Sequence, residues 1–333
     1  MELALRILVT GCAGQDGILL SRQLAQEGHE VIGAVRQGSV EYLKLASPSV
    51  TPFPINLLNE IQVINMLEEI NPEWVINLAG FSSVSRSWKN PEENNLINFA
   101  LVKIISNWIV KNNLSCKLVQ ASSSEIFGAS KNWPQTESTP INPATPYGEA
   151  KVLAQEHLSE LAKMYDLDVR TAILYNHESP LRRIEFVSRH ISSQVARLSM
   201  GLSNFVTIGD VTSKRDWGWA PDYVNAMRNM LFALPNETYL LASGRTHTVQ
   251  ELLQHSFEAI GMATDDKFIK IVDGSLRTVD PKYLVGDPTK AIVSGILTHT
   301  HDLSQIAYKM VQWDIRSLQE DLTKKPWGSN GDH

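Results

Sequence analysis

The sequence predicts an α/β fold: a doubly wound parallel sheet followed by a second, smaller α/β domain. In the first half of the 333-residue chain, short segments that are apolar almost throughout alternate with amphipathic segments. Such strands are buried on both faces, as in parallel sheets covered by helices. After Asn176 the alternation is lost and the pattern becomes irregular. At roughly 150 residues per domain, the length allows about two domains.

The predicted elements follow this alternation along the chain. Apolar, β-branched segments predict strands at Leu5–Thr10, Val31–Val35, Glu73–Leu78, Lys117–Ala121 and Val169–Leu174. Apolar residues at helical spacing predict helices at Ile18–Glu27, Ile61–Ile70, Glu92–Asn112 and Tyr147–Tyr165. We expect the sheet domain to cover 1–176, with a return of the chain at 210–235, and the second domain to cover the remainder of 177–330.

Composition narrows the class of protein. The 30 basic and 36 acidic residues give a formal net charge of -6, whereas nucleic-acid-binding proteins usually carry a basic face. The two cysteines, Cys12 and Cys116, make no Cys-x-x-Cys motif and no disulfide framework. The N-terminus lacks a signal-peptide pattern, and no apolar run approaches the ~20 residues of a membrane span. We therefore expect a cytoplasmic protein without nucleic-acid or membrane partners.

The turn after the first predicted strand reads Gly-x-x-Gly-x-x-Gly, with its glycines at Gly11, Gly14 and Gly17. Glycines allow a tight turn and let backbone amides approach a pyrophosphate, and a helix N-terminus adds partial positive charge. Surface loops are also often glycine-rich. The position of this loop, between a strand and a helix, is what indicates a dinucleotide site in a Rossmann domain.

The residue at the end of the second strand bears on the choice of dinucleotide. Proteins of this fold that bind NAD place an acidic residue there to hold the ribose 2′-hydroxyl, whereas this chain has Arg36. A guanidinium suits a 2′-phosphate, so Arg36 favours NADP. The alternative is that Arg36 is a solvated surface residue.

Tyr147 and Lys151 lie four residues apart on a predicted helix, which puts both side chains on one face. An ammonium near a phenol lowers the pKa of the phenol and lets the phenolate act as a base. Ser122–Glu125 follows a strand at its carboxyl end, where such sheets bind ligands. These hydroxyls and the carboxylate could bind a sugar and move protons, or the serines could only shape a turn.

Several segments together resemble the GDP-mannose 4,6-dehydratase family of extended short-chain dehydrogenases/reductases. They are Gly11–Gly17, Gln120–Gly128, Pro146–Lys151, Asn176–Pro180, Lys214–Gly218 with Asp222–Val224, and Gly286–Ala291. Asn176–Pro180 and Lys214–Gly218 are more specific to this family than the glycine loop or the Tyr–Lys pair. The resemblance implies a lyase that uses bound NADP to convert a GDP-hexose, GDP-mannose or GDP-mannoheptose, to the GDP-4-keto-6-deoxy sugar.

The resemblance also implies catalytic roles for Ser123, Glu125, Tyr147 and Lys151. Tyr147, assisted by Lys151, would take the proton of the C4 hydroxyl while hydride passes to the cofactor. Glu125 would remove the C5 proton and help to expel the C6 hydroxyl as water. Ser123 would hydrogen-bond the C4 oxygen. An epimerase or ketoreductase needs no carboxylate beside the nicotinamide, so Glu125 is the discriminating residue.

Two sets of binding residues follow from the same resemblance, and no metal site is expected. The implied cofactor residues are Gly11, Gly14, Gln15, Asp16, Gly17, Arg36, Asn56, Leu57, Leu78, Ala79, Gly80, Ser82, Tyr147, Lys151, His177 and Arg182. The implied substrate residues are Ser82, Ser123, Asn176, Arg215 and Arg277. The guanidinium forks of Arg215 and Arg277 would clamp the diphosphate, although Arg215 could instead pair with Asp216.

The chain departs from the family pattern near the implied sugar and subunit contacts. Asn56 replaces an aspartate, Phe81–Ser83 replaces Gln-Ser-His, and the loop after Arg36 is short. These changes leave the identity of the sugar open, and they favour a homodimer while putting a tetramer in doubt. Two alternatives remain at this point. One is a GDP-sugar epimerase or reductase of the same superfamily, and the other is a catalytically silent NADP-binding regulatory protein.

Overall fold

The computed structural model describes residues 4–128, 130–272 and 284–324, and twelve strands lie in this part of the chain. They are β1 (Arg6–Thr10), β2 (Glu30–Val35), β3 (Thr51–Pro54), β4 (Trp74–Asn77), β5 (Lys117–Ser123), β6 (Val169–Leu174), β7 (Asn176–Glu178), β8 (Val206–Ile208), β9 (Lys214–Trp219), β10 (Thr238–Leu241), β11 (Thr246–Thr248) and β12 (Ile269–Ile271). Seven of them form one parallel sheet in the order β10-β6-β5-β4-β1-β2-β3. The predicted doubly wound sheet is therefore confirmed.

The described helices lie between these strands or, for the last two, follow them. They are α1 (Gln15–Gln26), α2 (Val40–Ala46), α3 (Glu60–Ile70), α4 (Val84–Lys89), α5 (Pro91–Asn95), α6 (Leu101–Asn112), α7 (Pro146–Tyr165), α8 (Val187–Ser199), α9 (Ala220–Met230), α10 (Val249–Glu258), α11 (Thr289–Val293) and α12 (Leu303–Lys324). In the described part of the chain, no helix is long and apolar enough to cross a bilayer.

The predicted long helix Glu92–Asn112 is interrupted in the structure. A π-helical turn at Leu96–Ala100 separates α5 from α6. The wider turn holds the fully buried Asn98, whose amide nitrogen donates to Asn94 Oδ1 at 2.9 Å. Single π-turns of this kind often lie near functional sites. The apolar pattern could not reveal the wider turn, because Asn98 is a polar residue buried among apolar ones.

Apolar side chains cover both faces of the large sheet, as its near-continuous apolar strands predict. On one face, α1 packs against α9, and Leu20, Leu24 and Met227 belong to the same buried cluster. On the other face, α3, α6 and α7 contribute to a second cluster that includes Met66 and Ile105. This arrangement leaves the carboxyl ends of the strands as the edge where ligand-binding loops collect.

The later part of the chain builds two small sheets. Strand β9 pairs with β7 in parallel and with β11 in antiparallel orientation, and β8 pairs with β12. Helices α8, α10 and α12 pack together around a third apolar cluster. Helix α9 returns to pack on α1, while β10 extends the large sheet. The division into domains at 1–176 with 210–235, and at 177–330, stays a prediction.

Candidate active site

The loop between β1 and the start of α1 has no room for a side chain at Gly11 or Gly17. Gly11 has φ +67, and a Cβ on it would lie 2.8 Å from the amide nitrogen of Ala79. A Cβ on Gly17 would lie 2.4 Å from the carbonyl oxygen of Gly11. Gly14 is the N-cap residue of α1 and offers no side-chain cap to the first amides of the helix. This cradle fits a dinucleotide pyrophosphate, which close backbone approach and uncapped amides would bind.

Substitution Gly17→Ala should weaken both the fold and cofactor binding. The added methyl group meets backbone atoms that cannot rotate away, and overpacking of this kind costs about 1–3 kcal/mol. We expect a lower melting temperature and an affinity for the nicotinamide dinucleotide reduced by about tenfold, measured by calorimetry. Gly38→Ala is the matched control, because a Cβ there meets nothing within 4 Å. Equal affinities of Gly17→Ala and wild type would contradict the proposed close approach.

Three of the implied cofactor residues follow neighbouring strands at the same edge of the sheet. Arg36 is exposed directly after β2, and the exposed Asn56 follows β3. The side-chain oxygen of Asn56 accepts from the amide of Leu58 at 3.1 Å, and Leu57 between them is half-buried. The structure therefore places all three at the carboxyl edge of the sheet, where the glycine loop also lies.

The segment after β4 reaches the same edge and contacts the strand next to it. The amide of Ala79 donates to Thr10 Oγ1 at 3.2 Å, and Leu78 is half-buried. Gly80 and Ser82 are exposed. A Cβ on Gly80 would lie 2.6 Å from Asn98 Oδ1 and 3.5 Å from Lys151 Nζ. The implied cofactor segment and the implied catalytic lysine are thus neighbours.

Residues at the start of α1 bind the strand that carries the Asn-His-Glu-Ser-Pro motif. The side-chain amide of Gln15 donates to the carbonyl oxygen of His177 at 3.1 Å and accepts from Ser179 Oγ at 2.8 Å. His177 Nε2 lies 3.0 Å from Asp16 Oδ2, and the imidazole stacks on Tyr223. These contacts join the helix of the phosphate loop to β7.

Both ring nitrogens of His177 face acceptors, because Nδ1 lies 2.6 Å from the carbonyl oxygen of Tyr175 and Nε2 faces the carboxylate of Asp16. Each nitrogen must carry a proton to make its bond, so the geometry favours the imidazolium. Burial lowers the pKa of His177, but the charge and hydrogen bond of Asp16 outweigh burial and raise it. Burial opposes ionisation of Asp16, yet His177 lowers the pKa of that carboxyl.

This pair predicts a pH window of stability. The raised pKa of His177 means that its contribution is complete below about 6.5, its unfolded value, and is lost as pH rises through the folded pKa. The lowered pKa of Asp16 means that its contribution is present above about 3.9 and is lost as pH falls through the folded pKa.

We expect the melting-temperature difference between wild type and His177→Gln to shrink as pH rises above about 6.5. His190→Gln, at an exposed site on α8, is the control. A difference that does not depend on pH would exclude the charged pair.

The four implied catalytic residues come together beyond the end of β5. Ser123 is the last residue of β5, and its hydroxyl accepts from the amide of Glu125 at 3.3 Å. Tyr147 lies in the first turn of α7, and Lys151 lies one turn further on. A Cβ on Gly148 would lie 2.5 Å from the carbonyl oxygen of Glu125, so a glycine lets α7 approach this closely. All four side chains are buried.

Burial governs the protonation of the Tyr–Lys pair. Burial raises the pKa of Tyr147 to about 12, with a further increase from the charge of Glu125, although a hydrogen bond with Ser123 opposes both. Burial lowers the pKa of Lys151 to about 8. The pKa of Tyr147 is therefore raised, where the Tyr–Lys spacing predicts a lower one. The amine of Lys151 donates to the carbonyl oxygen of Ala121 at 2.9 Å and lies 5.8 Å from the centre of the phenol ring.

The implied substrate residues lie in the small sheet and beyond it. Asn176 begins β7, and the buried Arg215 lies in β9 and donates to the carbonyl oxygen of Lys214 at 2.6 Å. Arg215 and Asp216 are consecutive residues of β9, so their side chains point to opposite faces of the strand. The carboxyl of Asp216 accepts from the amides of Ser243, Gly244 and Gly286. Arg277 lies outside the described residues.

Arg182, an implied cofactor residue, contacts its own segment of the chain. Its Nε lies 3.3 Å from Glu178 Oε2, and its guanidinium lies 3.7 Å from the ring centre of Phe186. The charge of Arg182 also acts on Asp16, His177 and Tyr147, so this side chain lies near the helix start and the implied catalytic tyrosine.

Comparison with known proteins shows which family the chain belongs to. A family model described as GDP-mannose 4,6 dehydratase matches residues 8–294, which contain every implied binding and catalytic residue. GDP-mannose 4,6 dehydratase 1 of Arabidopsis thaliana is 33% identical over 299 residues, which cover 85% of this chain and 82% of that protein. The chain belongs to the GDP-mannose 4,6-dehydratase family. The residues that carried the resemblance in the sequence therefore identified the family correctly.

Solved structures similar to this member of the GDP-mannose 4,6-dehydratase family share its fold. UDP-glucose 4-epimerase from Thermotoga maritima, solved with UDP-glucose, has a TM-score of 0.83 at 24% identity and covers 94% of this chain and 99% of its own. dTDP-glucose 4,6-dehydratase from Bacillus anthracis, solved with NAD, has a TM-score of 0.80 at 21% identity and covers 95% and 98%. At this level of identity, the two structures confirm the fold alone.

Proposed function

We propose that the protein removes water from GDP-mannose and releases the GDP-4-keto-6-deoxy sugar, with no net oxidation or reduction. The observation that carries this proposal is the buried carboxyl of Glu125, which shares one site with Ser123 and the Tyr–Lys pair. A 4-epimerization or ketone reduction needs proton transfer at one oxygen only. Water loss needs a second base for the C5 proton, and the buried carboxyl of Glu125 beside Ser123 supports this role.

The proposed roles follow from the position and protonation of each side chain. Tyr147 accepts the proton of the C4 hydroxyl, while Ser123 holds the C4 oxygen. At a pKa of about 8, Lys151 is mostly charged near neutral pH, so its ammonium stabilises the phenolate that forms. Glu125 takes the C5 proton, which the C4 ketone acidifies, and passes a proton to the C6 hydroxyl as it leaves.

We infer that the cofactor is a nicotinamide dinucleotide, and NADP in particular. When bound, it would supply the hydride acceptor for C4 and the hydride donor for C6. The glycine cradle and the uncapped start of α1 fit the pyrophosphate, and the exposed Arg36 after β2 is the candidate for the 2′-phosphate. Leu78–Ser82 follows β4, and His177 contacts Asp16 at the start of α1, which supports a role for both in lining the cofactor site.

Substitution Arg36→Asp should change the cofactor preference from NADP toward NAD. A charge-assisted hydrogen bond to a phosphate contributes about 1.5–3 kcal/mol, so NADP should bind about tenfold more weakly or worse. An aspartate accepts from the 2′-hydroxyl of NAD, which should bind equally well or better. Dissociation constants for both dinucleotides decide this, with Arg316→Asp on the exposed side of α12 as the control. An unchanged NADP affinity would make Arg36 a solvated surface residue.

A single incubation tests the proposed reaction. Purified protein is mixed with GDP-mannose, without added reductant, and the nucleotide sugar is analysed by mass spectrometry for the loss of one water. GDP-mannoheptose is offered in parallel, because the altered residues near the implied sugar site leave the identity of the sugar open. A product of unchanged mass but altered retention would indicate an epimerase. Recovery of both unchanged GDP-sugars from protein that holds the dinucleotide would reject the dehydratase proposal.

A further inference from the structure

A chain of buried polar side chains crosses the centre of the large sheet just below the cofactor edge. The amide of Ala79 donates to Thr10 Oγ1 at 3.2 Å, and that hydroxyl bonds Asn77 Oδ1 at 2.5 Å. Asn77 Nδ2 donates to Gln120 Oε1 at 2.8 Å, and Gln120 Nε2 donates to the carbonyl oxygen of Ala121 at 2.7 Å. The three side chains are at most 2% exposed and come from β1, β4 and β5.

The direction of every hydrogen bond in this series follows from the last acceptor. The carbonyl oxygen of Ala121 can only accept, so Gln120 must present its NH2 group there and its oxygen to Asn77. Asn77 must then present its NH2 group to Gln120 and its oxygen to Thr10. The hydroxyl of Thr10 therefore donates to Asn77 and accepts from Ala79. A fully satisfied buried network in which each hydrogen bond has only one possible direction holds its members rigidly.

The Ala121 oxygen is also the acceptor of Lys151 Nζ, at 2.9 Å. We propose that Gln120, oriented by Asn77, is a positioning residue for Lys151, because its amide takes one lone pair of this oxygen and leaves the ammonium only the other direction of approach. The role assigned to Lys151 rests on the proposed function, whereas the shared acceptor is a feature of the fold. This series of hydrogen bonds also connects the backbone of Ala79, in the implied cofactor segment, to Lys151.

Two donors that converge on one oxygen bring their positive hydrogens close together. The amide hydrogens of Gln120 therefore repel the ammonium of Lys151. They also weaken its hydrogen bond, because both donors share one acceptor oxygen. This effect acts in the same direction as burial, which lowers the pKa of Lys151 to about 8. Besides the oxygen of Ala121, the amine faces the Tyr147 ring at 5.8 Å, and it would lie 3.5 Å from a Cβ on Gly80.

Substitution Gln120→Met tests the proposal directly, because methionine keeps the length of the side chain and removes the amide. The readout is the pKa of Lys151, measured by NMR titration of ε-carbon-labelled lysine and assigned with Lys151→Met. We expect the pKa to rise by about half a unit or more. Gln135→Met is the matched control, since Gln135 is fully buried but bonds Tyr175 and Val285 instead. An unchanged or lower pKa of Lys151 in Gln120→Met would overturn the proposal.

A second variant guards against misfolding, since Gln120→Met leaves the buried NH2 group of Asn77 without its acceptor. Asn77→Leu combined with Gln120→Met removes both members of the pair, which costs less than one orphaned partner. The same rise is expected there. In turnover, kcat should fall about tenfold while KM for GDP-mannose stays unchanged. The titration needs no turnover, so a wild type that fails to dehydrate GDP-mannose rejects the proposed function and leaves this test intact.

Discussion

Substitution Glu125→Gln should lower the rate of water loss from GDP-mannose by about a hundredfold to ten-thousandfold, the range that a positioned acid–base group contributes. Glutamine fills the same buried space but cannot take the C5 proton. Tyr147 and Lys151 stay in place, so oxidation at C4 should continue. Mixing the variant with GDP-mannose should therefore accumulate reduced nicotinamide, seen by its near-ultraviolet absorbance, without loss of water from the sugar.

Glu149→Gln provides the matched control for this experiment. Glu149 lies between Tyr147 and Lys151 on α7, but its side chain is exposed. The control should keep the wild-type rate and accumulate no reduced cofactor. Wild-type turnover by Glu125→Gln would remove Glu125 from the mechanism and, with it, the observation that separates a dehydratase from an epimerase.

Substitution Tyr147→Phe should lower kcat by a similar factor but at an earlier step. Phenylalanine keeps the buried ring and removes the only phenol that hydrogen-bonds Ser123 in the described site. The proposed acceptor for the C4 hydroxyl proton is then missing, so neither oxidation at C4 nor water loss should proceed. A single-turnover mixture should show no reduced nicotinamide, in contrast to Glu125→Gln.

The stability of the fold should change little in Tyr147→Phe, because the ring keeps its packing, and the melting temperature checks this. Tyr165→Phe, at the exposed end of α7, is the control and should retain the wild-type kcat. Accumulation of reduced nicotinamide in Tyr147→Phe would assign the C4 proton to another group.

Much of the fold and part of the site could be predicted from local sequence. The apolar strands β1, β2, β4, β5 and β6 were predicted within a few residues, because burial on both faces leaves a continuous apolar pattern. The short strand β3 was missed, because Pro52 and Pro54 hide it, and prolines are tolerated at a sheet edge. Strand β10 was missed because it joins the sheet from beyond the point where the alternation ends.

The sequence by itself determined the parallel sheet, the glycine loop, the Tyr–Lys spacing and the family, because each of these is written in residues close together in the chain. Only the tertiary structure decided which residues distant in sequence contact each other or hydrogen-bond to the same atom. It brought His177 to Asp16 and directed Lys151 to the carbonyl oxygen that Gln120 also binds. Hydrogen-bond direction and burial depend on contacts across many residues of chain. For that reason the protonation of Tyr147, Lys151 and His177 could not be predicted from spacing alone.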